Sequence, residues 1–102
     1  MLTEPQVQHF WTFGFVIMRN LFTPDEIETL RHEYETELNY LYADQPFSGE
    51  KRYWAPMLHP RTPLDASLLE DPRFCSVAEQ LYGDDVIGIC TDANRYVGDT
   101  NW

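Results

Sequence analysis

The stretch VIGICTDANRYVGDTNW, Val86–Trp102, decides the fold. Val86–Cys90 is a short apolar run with two β-branched isoleucines, set behind Gly83-Asp84-Asp85. That pattern predicts a buried strand. The chain then changes character. Over Thr91–Val97 strand alternation puts Asp92, Asn94 and Tyr96 on one face, and Thr91, Ala93, Arg95 and Val97 on the other. Gly98-Asp99-Thr100-Asn101 predicts a turn. A strand that leaves a core and turns polar before a turn delivers side chains to a pocket. Read from the residues alone, the same polar set is equally the solvent face of an edge strand.

Composition narrows the partners. The chain has 102 residues, one domain or less, and a formal net charge of −10. Phosphate repels such a surface, so nucleic acid is excluded as a partner. Aromatics reach 15%, which separates this chain from a disordered acidic tail. Cys75 and Cys90 lie among apolar neighbours and are expected as reduced, buried thiols. There is no CxxC and no Cys/His spacing of a zinc site. The amino terminus lacks the basic flank and apolar core of a signal peptide. No apolar run approaches the roughly 20 residues of a membrane span. A soluble, cytoplasmic protein is expected, with no membrane partner.

Upstream, the helix signals are clear. Thr3 and Gln6 form a capping box around Pro5; Val7, Phe10 and Trp11 follow at helical spacing, and Gly14 stops the helix. Phe15–Met18 then reads as a strand buried on both faces. Thr23, Pro24 and Glu26 start a second helix, with Phe22 and Ile27 at the staple positions. It is expected to run to about Ala43. Its stripe is Ile27, Leu30, Tyr34, Leu38 and Leu41, while Glu28, Arg31, Glu33, Glu35 and Glu37 mostly face water. In Glu50–Leu58, Tyr53 and Trp54 favour a strand and Pro56 confines it to an edge or an end. Arg52 is then a surface cation on that edge. His59–Pro63 reads as a loop, and no histidine has a ligand partner at metal spacing. Asp71 and Pro72 open a last helix whose buried face is Phe74, Val77, Ala78 and Leu81, ended by Gly83. The fold class is α+β, helices packed on a few strands.

Three segments carry a resemblance: LTEPQVQHFWTFGFVIMRNLFTPDEIETL, DPRFCSVAEQLYGDD and DDVIGICTDANRYVGDTNW. In this order they resemble the phytanoyl-CoA dioxygenase family of Fe(II)/2-oxoglutarate oxygenases. Phe47–Leu68 carries the resemblance least. The resemblance implies a double-stranded β-helix, or jelly roll, of which residues 1–102 are a single partial domain. It implies a His-x-Asp motif beginning near the residue after Trp102. Inside the chain there is none: His9 precedes Phe-Trp, His32 precedes Glu-Tyr and His59 precedes Pro-Arg. Neither a catalytic nor a metal-ligating residue is therefore assigned here. The cofactors implied for the family are Fe(II) and 2-oxoglutarate, with neither expected on this piece alone.

The resemblance also turns Asp92, Asn94 and Tyr96 toward the cosubstrate and matches Arg52 to a basic pocket residue. Asn94 and Tyr96 would donate to a carboxylate; Asp92 would repel it unless Arg52 or Arg95 pairs with it. Trp102 packs beside the metal motif or caps the core. The implied activity is hydroxylation of a small molecule, with this portion inactive by itself. Two alternatives stand: a non-catalytic acidic protein-interaction module, and a halogenase in which a small residue replaces the motif's carboxylate. Unpaired sheet edges predict self-association.

Overall fold

A computed structural model describes residues 1–96; Val97, the turn expected over 98–101 and Trp102 lie outside the described residues. The elements are α1 (Glu4–Phe13), α2 (Pro24–Leu41), β1 (Tyr53–Pro56), α3 (Pro63–Ser67), a single 3-10 turn (Leu68–Glu70), α4 (Pro72–Tyr82) and β2 (Asp92–Arg95). This is a small α+β arrangement, with one two-stranded sheet among the described residues.

Local chemistry starts α1, α2 and α4, and stops α1 and α4, as the sequence predicts. Thr3 and Thr23 each accept from the backbone N–H three residues on, and Gln6 and Glu26 reach back to complete two capping boxes. Gly14 closes α1 in the left-handed region at φ 81°, where a side chain would be strained. Asp71 caps α4 by accepting from Arg73 N–H. α2 ends at Leu41 with Tyr42 as its cap, two residues short of Ala43.

The sheet is antiparallel, with Tyr53 opposite Arg95, Trp54 opposite Asn94, Ala55 opposite Ala93 and Pro56 opposite Asp92. Met57 N–H donates to Thr91 C=O at 2.8 Å, which extends the ladder one pair beyond Pro56. In that phase Ala55/Ala93 and Tyr53/Arg95 exchange hydrogen bonds, and Trp54/Asn94 and Pro56/Asp92 point their backbone groups outward. Pro56 thus lacks an N–H where the ladder needs none. One face of the sheet packs on α2. The core there is Leu38, Tyr53, Ala55, Met57 and Ala93, flanked by Tyr34, Tyr42 and Phe47.

Four expectations are corrected. Phe15–Met18 and Val86–Cys90 form no helix and belong to no sheet among the described residues. Apolar β-branched runs have the propensity for a strand, yet a strand exists only with a partner ladder. Far from being buried, Ile87 and Ile89 are 84% and 76% exposed. Glu33 and Glu37 do not face water; both are buried. Cys90 is exposed and Cys75 half-buried, both free. The face of α4 expected to be buried (Phe74, Val77, Ala78, Leu81) is only half covered. Of the double-stranded β-helix that the resemblance implies, the described residues show a two-stranded sheet. No helix among the described residues is long and apolar enough to cross a membrane.

Candidate functional site

Tyr53 and Ala55 of β1, with Ala93 and Arg95 of β2, lie on the sheet face turned to α2. The opposite face carries Trp54, Pro56, Asp92 and Asn94. Carrying the register one pair further sets Arg52 opposite Tyr96. Alternation thus gathers the four sequence-predicted residues, Arg52, Asp92, Asn94 and Tyr96, on the outer face. Trp54 lies among them, 45% exposed. Arg52 and Asp92 sit at opposite ends of the patch, four residues apart in register, or about 13 Å along the strands. Arg52 and Tyr96 each make a further interaction. Arg95 is on the other face and forms an ion pair with Glu35, so it does not offset Asp92. Its guanidinium also lies 5.4 Å from the Phe47 ring centroid.

Asn94 holds unused hydrogen-bonding capacity. Its Oδ1 is buried and has no partner among the described residues. Burying an amide oxygen unpaired is unfavourable.

The sheet's edges are held by tyrosines of the α2 region. Tyr34 Oη donates to Asn94 C=O at 2.6 Å on the outer edge of β2. Tyr42 Oη accepts from Trp54 N–H at 3.2 Å and donates to Trp54 C=O at 2.9 Å on the outer edge of β1. The Tyr42 and Tyr53 rings stack at 3.9 Å. These hydroxyls occupy backbone groups that a second strand would use, which moves the expected self-association away from this sheet.

Sequence reasoning missed an acidic ridge on α2. Glu26, Glu33 and Glu37 fall within about 40° of each other around the helix. Each engages a segment that comes later in the chain. Glu26 receives Arg73 Nη2 at 2.8 Å and Nη1 at 3.0 Å. The Arg73 guanidinium, with the Thr23 N–H, holds the Glu26 carboxyl down to about 2. Glu33, 5% exposed, accepts from Leu64 N–H and Asp65 N–H at 2.8 Å each and so caps α3 from another helix. Glu37, 1% exposed, takes Arg61 Nε at 2.9 Å and Nη2 at 2.8 Å in a forked pair. That pair lowers the Glu37 carboxyl from its ordinary range. Arg61 also stacks on Tyr40 with 4.0 Å to the ring centroid. The signal was present in the seven- and four-residue spacing beside the apolar stripe. Nothing local announced what would cover it.

Asp65 continues the seam to β2, accepting from Thr91 Oγ1 at 2.5 Å. Burial raises its carboxyl above the usual range, against the Thr91 hydrogen bond; the charges of Glu33 and Asp92 raise it further.

Two hollows flank Phe74. One, about 320 Å³, lies between α4 and the Val86–Thr91 segment, with Leu69, Cys75 and Ala78 in its wall. The other, about 420 Å³, is lined by Met18, Asn20, Leu21, Phe22, Ile27 and Phe74, and so takes in both staple residues. Among the described residues no three His, Cys, Asp or Glu side chains converge as a metal site would require. No family model, curated protein or solved structure matches the chain.

Proposed function

We propose that this chain is the amino-terminal part of a non-haem Fe(II)/2-oxoglutarate oxygenase that hydroxylates a small molecule. Its outer sheet face forms one wall of the cosubstrate pocket. The observation that carries the reading is the sheet register, which puts Trp54 and Asn94 on that face, with Arg52 and Tyr96 next in alternation, so that the Asn94 amide N–H, not its Oδ1, would meet a carboxylate. A cation, an amide and a phenol are the groups that hold a dicarboxylate. Asp92 is set at the far end, where its charge opposes the cosubstrate least. In this reading further strands complete a jelly roll around the face.

Iron does not fit the described residues, since three converging ligands are the minimum for its chemistry and none are gathered here. No step is therefore routed through it. The chain's own contribution is positional: orienting one carboxylate and excluding water from one side.

Two experiments test this. The codons after Trp102 should encode His-x-Asp or His-x-Glu; a stop codon there overturns the family reading. In the chain extended through that motif, anaerobic titration with Fe(II) and 2-oxoglutarate should shift the Asn94 and Tyr96 amide signals saturably, and Arg52→Met should abolish the shift. Shifts that survive Arg52→Met overturn the assignment of the face. A halogenase reading shares these residues and separates only at the motif's carboxylate.

A further inference from the structure

Trp54 and Asn94 stand opposite each other at the middle of the outer sheet face. They form a non-hydrogen-bonded pair, so their backbone groups point away from the ribbon on both edges. Such groups need partners. On each strand the partner is a phenol from the α2 region. Tyr34 Oη donates to Asn94 C=O at 2.6 Å. Tyr42 Oη spans Trp54, accepting from its N–H at 3.2 Å and donating to its C=O at 2.9 Å. Both strands are thus fastened at the same rung, by α2 and its cap residue.

The two phenols are themselves held. The Tyr42 ring lies flat on Tyr53, 8° from parallel, and Tyr53 Oη donates to Pro46 C=O at 3.0 Å. The Tyr34 ring lies 5.8 Å from the Arg95 guanidinium, and Arg95 forms an ion pair with Glu35. Two successive residues of α2, Tyr34 and Glu35, therefore grip two successive residues of β2, Asn94 and Arg95. Each link joins positions 60 residues apart.

A hydroxyl on a sheet edge satisfies that edge. Two hydroxyls on one rung do more, because this rung carries the central side chains of the outer face. Fixing the Asn94 carbonyl and both backbone groups of Trp54 fixes the direction in which those side chains leave the ribbon. A ligand that meets them then binds without ordering them first.

We propose that Tyr34 and Tyr42 are positioning residues of the pocket wall. Tyr34 acts through Asn94, whose amide N–H it aims at a bound carboxylate. Tyr42 acts through Trp54, whose half-exposed indole it sets beside the hydrocarbon part of the ligand. The assignment rests on the reading of this face as a wall of the 2-oxoglutarate pocket.

The test is a double-mutant cycle in the chain extended through the His-x-Asp motif, read as the 2-oxoglutarate dissociation constant with Fe(II) under anaerobic conditions. Tyr34→Phe keeps the ring and removes only the hydroxyl. It should weaken 2-oxoglutarate about fivefold, the worth of one hydrogen bond, with circular dichroism and the Fe(II) dissociation constant unchanged. Asn94→Ala should weaken it further, and in that background Tyr34→Phe should add nothing. Tyr42→Phe should behave in the same way toward Trp54→Ala. In the ligand-free chain the Asn94 and Trp54 side-chain N–H groups should lose order in the respective phenylalanine variants, measured by NMR relaxation. Arg73→Met loosens the junction of α2 with α4 instead, and should lower the melting midpoint without moving the 2-oxoglutarate constant. A wild-type chain that binds Fe(II) but no 2-oxoglutarate overturns the pocket reading, and this assignment with it. A wild-type chain that binds 2-oxoglutarate, with Tyr34→Phe neutral or fully additive to Asn94→Ala, overturns the positioning role alone.

Discussion

The sheet side and the α1–α4 side of this molecule are built to different standards. On the sheet side, α2 packs on the sheet, the apolar core is closed, and the buried Glu33 and Glu37 find partners from distant segments. On the other side, two runs at least as apolar form no regular element and leave Ile17, Ile87 and Ile89 in water. Hydrophobicity alone does not separate the two. What separates them is polar stitching: three glutamates and two tyrosines on or beside α2 tie down the segments that follow. Apolar burial is non-directional, so a chain needs such directional contacts to decide which apolar segment goes under which cover.

Mutations should register this difference. Leu38→Ala, in the closed core, should cost about 3 kcal/mol in urea unfolding. The same truncation at Ile87 should change the dilute monomer by less than about 0.5 kcal/mol. Comparable losses at both sites would break the contrast. Glu33→Ala removes two charge-assisted bonds from the α3 N-terminus and should cost about 2 kcal/mol. If it costs nothing, the acidic ridge is decoration. Tyr42→Phe should cost about 1 kcal/mol and open the outer edge of β1, so light scattering should rise as well.

Acid should reach the ridge as well. The folded-state value of Glu26 is about 2, below its ordinary 4.5. A carboxyl lowered in this way contributes stability that is complete above pH 4.5 and lost as pH falls toward 2. Glu37 and Asp71 are lowered too and act in the same sense. Arg73→Met should flatten the fall of the melting midpoint through this window, because it removes the partner of both Glu26 and Asp71. Asp65 runs the other way. Burial raises its carboxyl, so the folded state bears a charge penalty at neutral pH that protonation relieves. Asp65→Asn should raise the melting midpoint modestly at pH 7, and the gain should vanish well below 3.8, its ordinary value.

Much of the helical frame was legible in the sequence because it is local. Thr3 with Gln6, Thr23 with Glu26, and Asp71 with Pro72 fix helix starts within four residues, and Gly14 and Gly83 fix two ends. Alternation was enough to set Asp92 and Asn94 on one side of β2. It could not tell that Tyr34 and Tyr42 would occupy the sheet's edges, because those partners are 60 and 12 residues away. The same distance hid α3, which has no side-chain cap of its own and relies on Glu33, 31 residues before Leu64. Phe15–Met18 and Val86–Cys90 were misread for a related reason. Their strand propensity is real, but whether a run becomes a strand is decided by another segment.

Amide hydrogen exchange compares the two sides in one experiment. In dilute protein, Met57 N–H, bonded to Thr91 C=O, and Ala66 N–H, bonded to Thr62 C=O, should exchange slowly. The amides of Ile87, Gly88 and Ile89, which have no backbone partner among the described residues, should exchange at unprotected rates. Protection of 87–89 equal to that of Met57 at high dilution would contradict the account, because those residues would then already have a ladder within one chain.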